Sequence, residues 1–385
     1  MNHNFDRDIS RNGTHSEKYD ARQTIFSKAD VIPAWVADMD FAAPPAVTKA
    51  LIERANHPIY GYTIYPDSLY KSIIDWLKRR HHWEIQREWI VMCPGVVPSL
   101  NAAVMAFTQP GESIIIQPPV YFPFFSAATQ TGRKLIENPL HFEDGKYTID
   151  FDHLEQCAKE AHLLLLCSPH NPVGRVWSKQ ELERLLQISE KHNLIIFSDE
   201  IHADLIYPGN QHHALAPLTD KSANILTAIT PSKTFNIPGL NLSTLIIPDP
   251  ATRKKITQVF DAMHVSASNP FSIAAFEAAY REGEPWLEEL LIYLRDTRDC
   301  VQAYLTEHLS QIKLIPSEGT YLLWLDCREL NKNDAELKRF FVHEAGVGLS
   351  PGALFGKEGS GFMRLNIGAP RETIMTVLEN IRRVL

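Results

Sequence analysis

The chain has 385 residues, 44% of them apolar and 22% charged, the make-up of a folded globular protein. That excludes a disordered chain, a collagen or a coiled coil. Its 38 basic and 46 acidic residues leave a formal charge of −8 with no basic block, so the electrostatic footprint of a nucleic-acid binder is missing. No apolar run reaches the roughly 20 residues that span a bilayer, and the start MNHNFDRDISRNGTHSEKYD shows no apolar signal core. Five scattered cysteines without a CxxC pair complete the expectation of a cytoplasmic protein with reduced thiols and no membrane partner. There is no HExxH or Cys/His cluster. The neighbours His81-His82 and His212-His213 should point apart, so no metal site is expected.

Residues 1–45 read as an irregular, proline-bearing arm ending in AWVADMDFAAPP. Beyond it, short apolar runs suited to buried parallel strands alternate with segments of helical period. The runs are 89–92, 113–117, 163–167, 194–197, 225–230 and 242–247. After PGVVPS, the spacing of Leu100, Ala103, Val104 and Phe107 predicts a helix. SKQELERLLQISEKHN predicts another, with Ser178 and Glu181 as a capping-box pair and Leu182, Leu185 and Leu186 on one face. A long helical stretch over 270–309 follows. Two alternating strand candidates, TYLLWLD and MRLNIG, then flank a helix near 334–345. The pattern predicts an α/β fold: a large domain over 46–280 with a mainly parallel sheet between helices, and a smaller α+β domain over 281–385 with which the arm associates.

Ligands of open α/β sheets bind outside the carboxyl ends of the strands. Run 89–92 leads to Gly95, Val96 and Val97, which open a helix whose free N–H groups suit an anion. Run 113–117 leads to Tyr121 on a proline-stiffened turn, and 163–167 to Asn171 in SPHNPVG. Run 194–197 leads to Asp199 and His202, and 225–230 to Thr230, Ser232 and Lys233. Singly, each has an ordinary structural explanation as a turn, a helix start or a packed ring. Together, an aromatic, an amide, a buried acid, a lone lysine and a helix N-terminus supply what pyridoxal 5′-phosphate (PLP) requires. The lysine amine would form a Schiff base and the acid would pair with the ring nitrogen.

The ordered blocks WVADMDF, YGYT, PGVVPSL, PVYFPF, SPHNPVGRVW, SDEIHADL, PSKTFNIPGL, GTYLLWLD and MRLNIGAPR resemble the fold-type-I enzymes of the class I/II aminotransferase superfamily, from Pro33 to the C-terminus. Within it the chain is most similar to the MalY/PatB-type cysteine-S-conjugate β-lyase (cystathionine β-lyase, C–S lyase) branch. The resemblance implies PLP as cofactor, with Lys233 as the Schiff-base lysine and proton carrier at Cα. It implies Asp199 on the pyridinium nitrogen, Asn171 on the phenolic oxygen, Tyr121 on the ring face and His202 beside the cofactor. Gly95, Val96, Val97, Thr230 and Ser232 would surround the phosphate. Arg364 would grip the substrate α-carboxylate, a task that suits its planar fork. Asn171 and Tyr121 would also meet the substrate, as would Ala37 in an arm that closes over it with Trp35 and Asp38. Tyr62 would reach the phosphate of a neighbouring subunit, which implies a homodimer with shared sites.

Two positions depart from the common aminotransferase pattern: His202 stands where a tyrosine is usual, and Asn241 where an arginine binds phosphate. Both favour the lyase branch. The implied reaction is α,β-elimination from L-cystathionine or another cysteine S-conjugate, giving a thiol, pyruvate and ammonia. Two rival readings share these residues: an aminotransferase of an L-amino acid, and a regulatory protein acting by contact with a transcriptional activator.

Overall fold

Seven strands form the central sheet: β1 (Ile90–Cys93), β2 (Ser113–Ile116), β3 (Lys134–Glu137), β4 (Ala161–Cys167), β5 (Ile195–Asp199), β6 (Ile225–Ile229) and β7 (Ser243–Ile246). Their spatial order in the computed structural model, which describes residues 3–385, is β1-β7-β6-β5-β4-β2-β3. Met1 and Asn2, the start of the expected arm, lie outside the described residues. The inner strands read as unbroken apolar runs because both faces are covered. Leu163, Leu165, Phe197 and Leu226 pack on one side, and Leu164, Leu166, Ile196 and Ile225 on the other.

Strand β7 runs antiparallel to both β1 and β6, against the parallel setting expected for that run. The reason is its connection. Residues 230–242 hold only single turns, Pro231–Thr234 and Pro238–Leu240, and no crossover helix to carry the chain back. Strand β3 escaped the sequence pattern because it is a short, half-exposed edge with a lysine and a glutamate at its ends.

Helix α1 (Val96–Phe107) begins at Gly95, whose φ of +151° is open to glycine alone. Helix α2 (Lys179–Lys191) carries the expected capping box, with both reciprocal bonds of Ser178 and Glu181 present. The stretch expected as one helix over 270–309 is two, α3 (Pro270–Glu282) and α4 (Glu284–His308). Pro285 has no N–H to continue the first helix. A Cβ at Gly283 would lie 2.5 Å from both the Ala279 carbonyl and the Phe235 ring, so the joint is held closed by packing.

The smaller domain contains an antiparallel sheet of Lys313–Leu314, β8 (Leu322–Asp326), β9 (Phe362–Asn366) and Ser350–Pro351. The helix expected near 334–345 runs from Asp334 to Arg339 and widens into a π-turn over Phe340–Glu344. The arm is less irregular than its sequence suggests. It forms short helices at Glu17–Asp20 and Arg22–Phe26, and Ile32–Pro33 pairs in parallel with Val347–Gly348. Among the described residues no helix is long and apolar enough to cross a membrane.

Candidate active site

Because β1, β2, β4, β5 and β6 are parallel, the segments that follow them meet at one edge of the sheet. A cavity of about 630 Å³ opens there. Gly95, Val96, Val97, Tyr121, Asn171, Asp199, His202, Thr230, Ser232 and Lys233 line it, and Ala37 and Arg364 close it from the arm and the smaller domain. Trp35 and Asp38 line it too. Tyr62 alone stands apart: its side chain is fully solvent-exposed, at 109% relative accessibility, in a segment without regular secondary structure outside the cavity.

The electrostatics of this cavity are unusual. Asp199 is buried and accepts one long bond, 3.3 Å, from the Ile201 N–H. Burial pushes its carboxyl up to about 7. Burial likewise pulls Lys233 down to about 8, and its Nζ donates to the Ala37 carbonyl at 2.7 Å. His202 is held neutral, lowered to about 3 by burial and then by Lys233 and Arg364, and its Nδ1 has no partner among the described residues. At the start of α1, Ser99 N–H donates to the Gly95 carbonyl and Pro98 has no N–H, which leaves those of Val96 and Val97 for an anion. Thr230 accepts from the Ser232 N–H at 3.2 Å and donates to the Leu242 carbonyl at 2.9 Å, so its hydroxyl already caps the turn that carries Lys233.

These shifts set a pH dependence. Protein free of small molecules should lose stability as pH rises from about 3.8 to about 7, because the folded state keeps the Asp199 proton that the unfolded chain releases. Lys233 adds stability back as pH rises above about 8, where the folded state has shed a proton that the unfolded chain still binds. Asp199→Asn should flatten the acid side of this profile, read by thermal unfolding across pH.

Arg364 is 5% exposed, and no carboxylate meets it. Its Nη1 donates to Asn171 Oδ1 at 3.0 Å, and its Nη2 to the Trp35 carbonyl at 2.8 Å and Ser350 Oγ at 3.3 Å. Its Nε has no partner among the described residues, and burial lowers its pKa to about 10. Phe355 packs against the guanidinium, 4.8 Å from ring centre to Cζ. A buried cation held by neutral groups alone is costly, and an incoming anion would relieve it.

Several residues of this site carry no early signal. Asn366 donates to the Val36 and Asp38 carbonyls at 2.5 and 2.6 Å, and Asn236 brackets Met39 and Phe41. The two amides strap the 35–41 segment over the cavity, and Tyr321 joins Lys233 on the Ala37 carbonyl at 2.9 Å. Asn366 lies two residues past Arg364 on one strand, so alternation could have placed both on the same face. From beneath, Lys18 is wholly buried and pairs with Asp40 at 2.8 Å, while Arg11 bridges Asp38 and Asp40, each at 2.7 Å. Lys18→Met should cost stability toward the low end of about 3–5 kcal/mol, because Asp40 keeps Arg11; urea unfolding measures it. Of the two histidine pairs, His81 meets His212 with ring centres 5.6 Å apart. His81 holds Asp204, which also accepts from Thr234 beside Lys233 at 2.8 Å.

The sequence profile described as aminotransferase class I and II matches residues 31–381. Among characterised relatives, the cystathionine beta-lyase PatB of Bacillus subtilis is 41% identical over 99% of this chain and 100% of its own. The crystal structure of cystalysin from Treponema denticola, which contains a pyridoxal 5′-phosphate cofactor, superposes with a TM-score of 0.97 at 38% identity, covering 100% of this chain and 99% of that one. The PLP-bound C-S lyase of Staphylococcus hominis follows at 0.91 and 31%, covering 99% and 98%. With its cavity at the carboxyl edge of a mainly parallel sheet and this profile spanning nearly its whole length, the chain belongs to the class I and II aminotransferase family.

Proposed function

We propose that this chain is a PLP-dependent carbon–sulfur lyase that cleaves L-cystathionine or other cysteine S-conjugates to a thiol, pyruvate and ammonia. The observation that carries this reading is Arg364: a buried guanidinium with no acidic partner, in one cavity with a half-buried lysine and a buried carboxyl. Such a trio suits an amino acid bound through its carboxylate beside a flat, basic ring. The names of the relatives supply the reaction class.

The residues present fit PLP. Asp199, with free acceptor capacity, would hold the ring nitrogen protonated, and Asn171, whose Nδ2 makes no hydrogen bond among the described residues, would donate to the phenolic oxygen. Tyr121 would cover the ring, His202 would remain neutral beside it, and the Val96 and Val97 N–H groups with Ser232 would take the phosphate. Bound PLP supplies an electron sink for the charge left when a proton departs from Cα. Arg364 fixes the carboxylate and so aims the Cα–H bond; Lys233, its amine poised near pKa 8, moves that proton. Sulfur on Cβ then leaves as thiolate.

The exposed side chains of Ile59, Tyr60, Tyr62 and Ile64 support a homodimer in which Tyr62 reaches the neighbouring cavity. Five unpaired cysteines fit a cytoplasmic setting. The test of function is direct: purified protein with PLP and L-cystathionine should form pyruvate and homocysteine without an added keto acid. Turnover that requires a keto acid, with no pyruvate released, would make it an aminotransferase.

A further inference from the structure

Three acids line the cavity: Asp199, Asp38 and Glu17. Asp199 is buried at the end of β5, and Asp38 is held by both Nη atoms of Arg11 at 2.9 and 2.7 Å. Glu17 remains. No cation lies within 4 Å of its carboxylate among the described residues, and its side chain reaches solvent. It does not sit there on a loose arm. The next residue, Lys18, is wholly buried and tied to Asp40, while Trp35 Nε1 donates to the Lys18 carbonyl at 3.1 Å and Tyr19 OH to Asp40 at 3.1 Å. The backbone that carries Glu17 is thus anchored, and its exposed side chain belongs to a cavity lining that includes Trp35, Val36, Phe122 and Leu354. Its field reaches the Tyr121 hydroxyl, which also feels Arg364 and Asp199.

We propose, resting on the lyase reading of this site, that Glu17 is a specificity-determining residue that favours cysteine thioethers whose leaving group carries a cationic ammonium. A substrate gripped at Arg364 with its Cα–H at Lys233 has one end left free, and that end must run out past the mouth. Trp35 and Leu354 offer apolar contact for a thioether chain, and Glu17 is the unpaired charge on its way. Cystathionine ends in an ammonium and a carboxylate, and the ammonium is the group that Glu17 selects. A single carboxylate near solvent exerts a modest, salt-sensitive pull, so the effect lies in the choice between substrates rather than in the rate of the best one.

The test uses the PLP-loaded enzyme and three thioethers of similar size. S-(2-aminoethyl)-L-cysteine ends in an ammonium, S-(2-carboxyethyl)-L-cysteine in a carboxylate, and S-propyl-L-cysteine is neutral. At low ionic strength the ratio of kcat/KM for the ammonium over the carboxylate substrate should fall about fivefold in Glu17→Gln and further in Glu17→Lys. Each value is referred to the neutral substrate on the same variant. The wild-type ratio should also shrink as salt is added. A ratio that stays within about twofold in both variants overturns the role of Glu17 while the lyase reading stands. Absence of pyruvate from all three thioethers and from L-cystathionine with wild-type enzyme would instead remove the lyase reading beneath it.

Discussion

Lys233→Ala is expected to lower pyruvate formation from L-cystathionine by at least about 10³-fold while the protein stays folded. The loss is large because the same amine is asked to hold the cofactor and to move the Cα proton, and His202, its pKa lowered to about 3, is too weak a base to take its place. Folding should survive because the lysine makes a single hydrogen bond, to Ala37, and its burial is unfavourable for the charged form. Coupling pyruvate release to lactate dehydrogenase measures the activity, and a melting curve measures the fold. Partial recovery with an added small primary amine would identify the missing group as the amine itself. Activity within tenfold of wild type would remove Lys233 from the chemistry.

Arg364→Lys should raise KM for L-cystathionine by about a hundredfold and lower kcat less. A charge-assisted bond of the kind a guanidinium makes contributes about 1.5–3 kcal/mol, and an ammonium cannot present two parallel donors to one carboxylate. The split follows from the geometry: Asn171, Trp35 and Ser350 orient the fork, and its Nε is unmet until an anion arrives. Arg364→Ala should go further and lose about 10³-fold in kcat/KM, because a carboxylate would then enter a buried pocket without a countercharge. Steady-state kinetics with both variants decides this, and an unchanged KM in Arg364→Lys would contradict the assignment.

His202 and Asn241 acquire a physical setting from the structure. His202 is buried against Tyr321, with ring centres 6.0 Å apart, in a space between two cations where a neutral ring is favoured. Asn241 sits at φ +45° after a tight turn, a left-handed conformation that asparagine tolerates better than most residues. Both line the cavity, so the two departures from the aminotransferase pattern fall where substrate and phosphate would lie.

Asn171, Asp199 and Lys233 were legible in the amino-acid sequence because each follows an apolar run, whereas Arg364, Ala37 and Tyr62 came only from the resemblance to a family. Parallel strands deliver all such followers to one edge, so the pattern alone gathers Asn171, Asp199 and Lys233. Helix α2 and its capping box were legible for a similar reason: both are set by contacts within one turn. What required the fold was every relation between distant segments. The direction of β7, the division of 270–309 at Gly283, and the strapping of the arm by Asn236 and Asn366 depend on packing across the chain. The perturbed acidity of Asp199 and Lys233 belongs here too, since it arises from burial, which no local pattern encodes. Local chemistry is written in neighbours along the chain, whereas solvent exclusion and the meeting of Arg364, Lys233 and Glu17 around one cavity exist only once the chain has closed on itself.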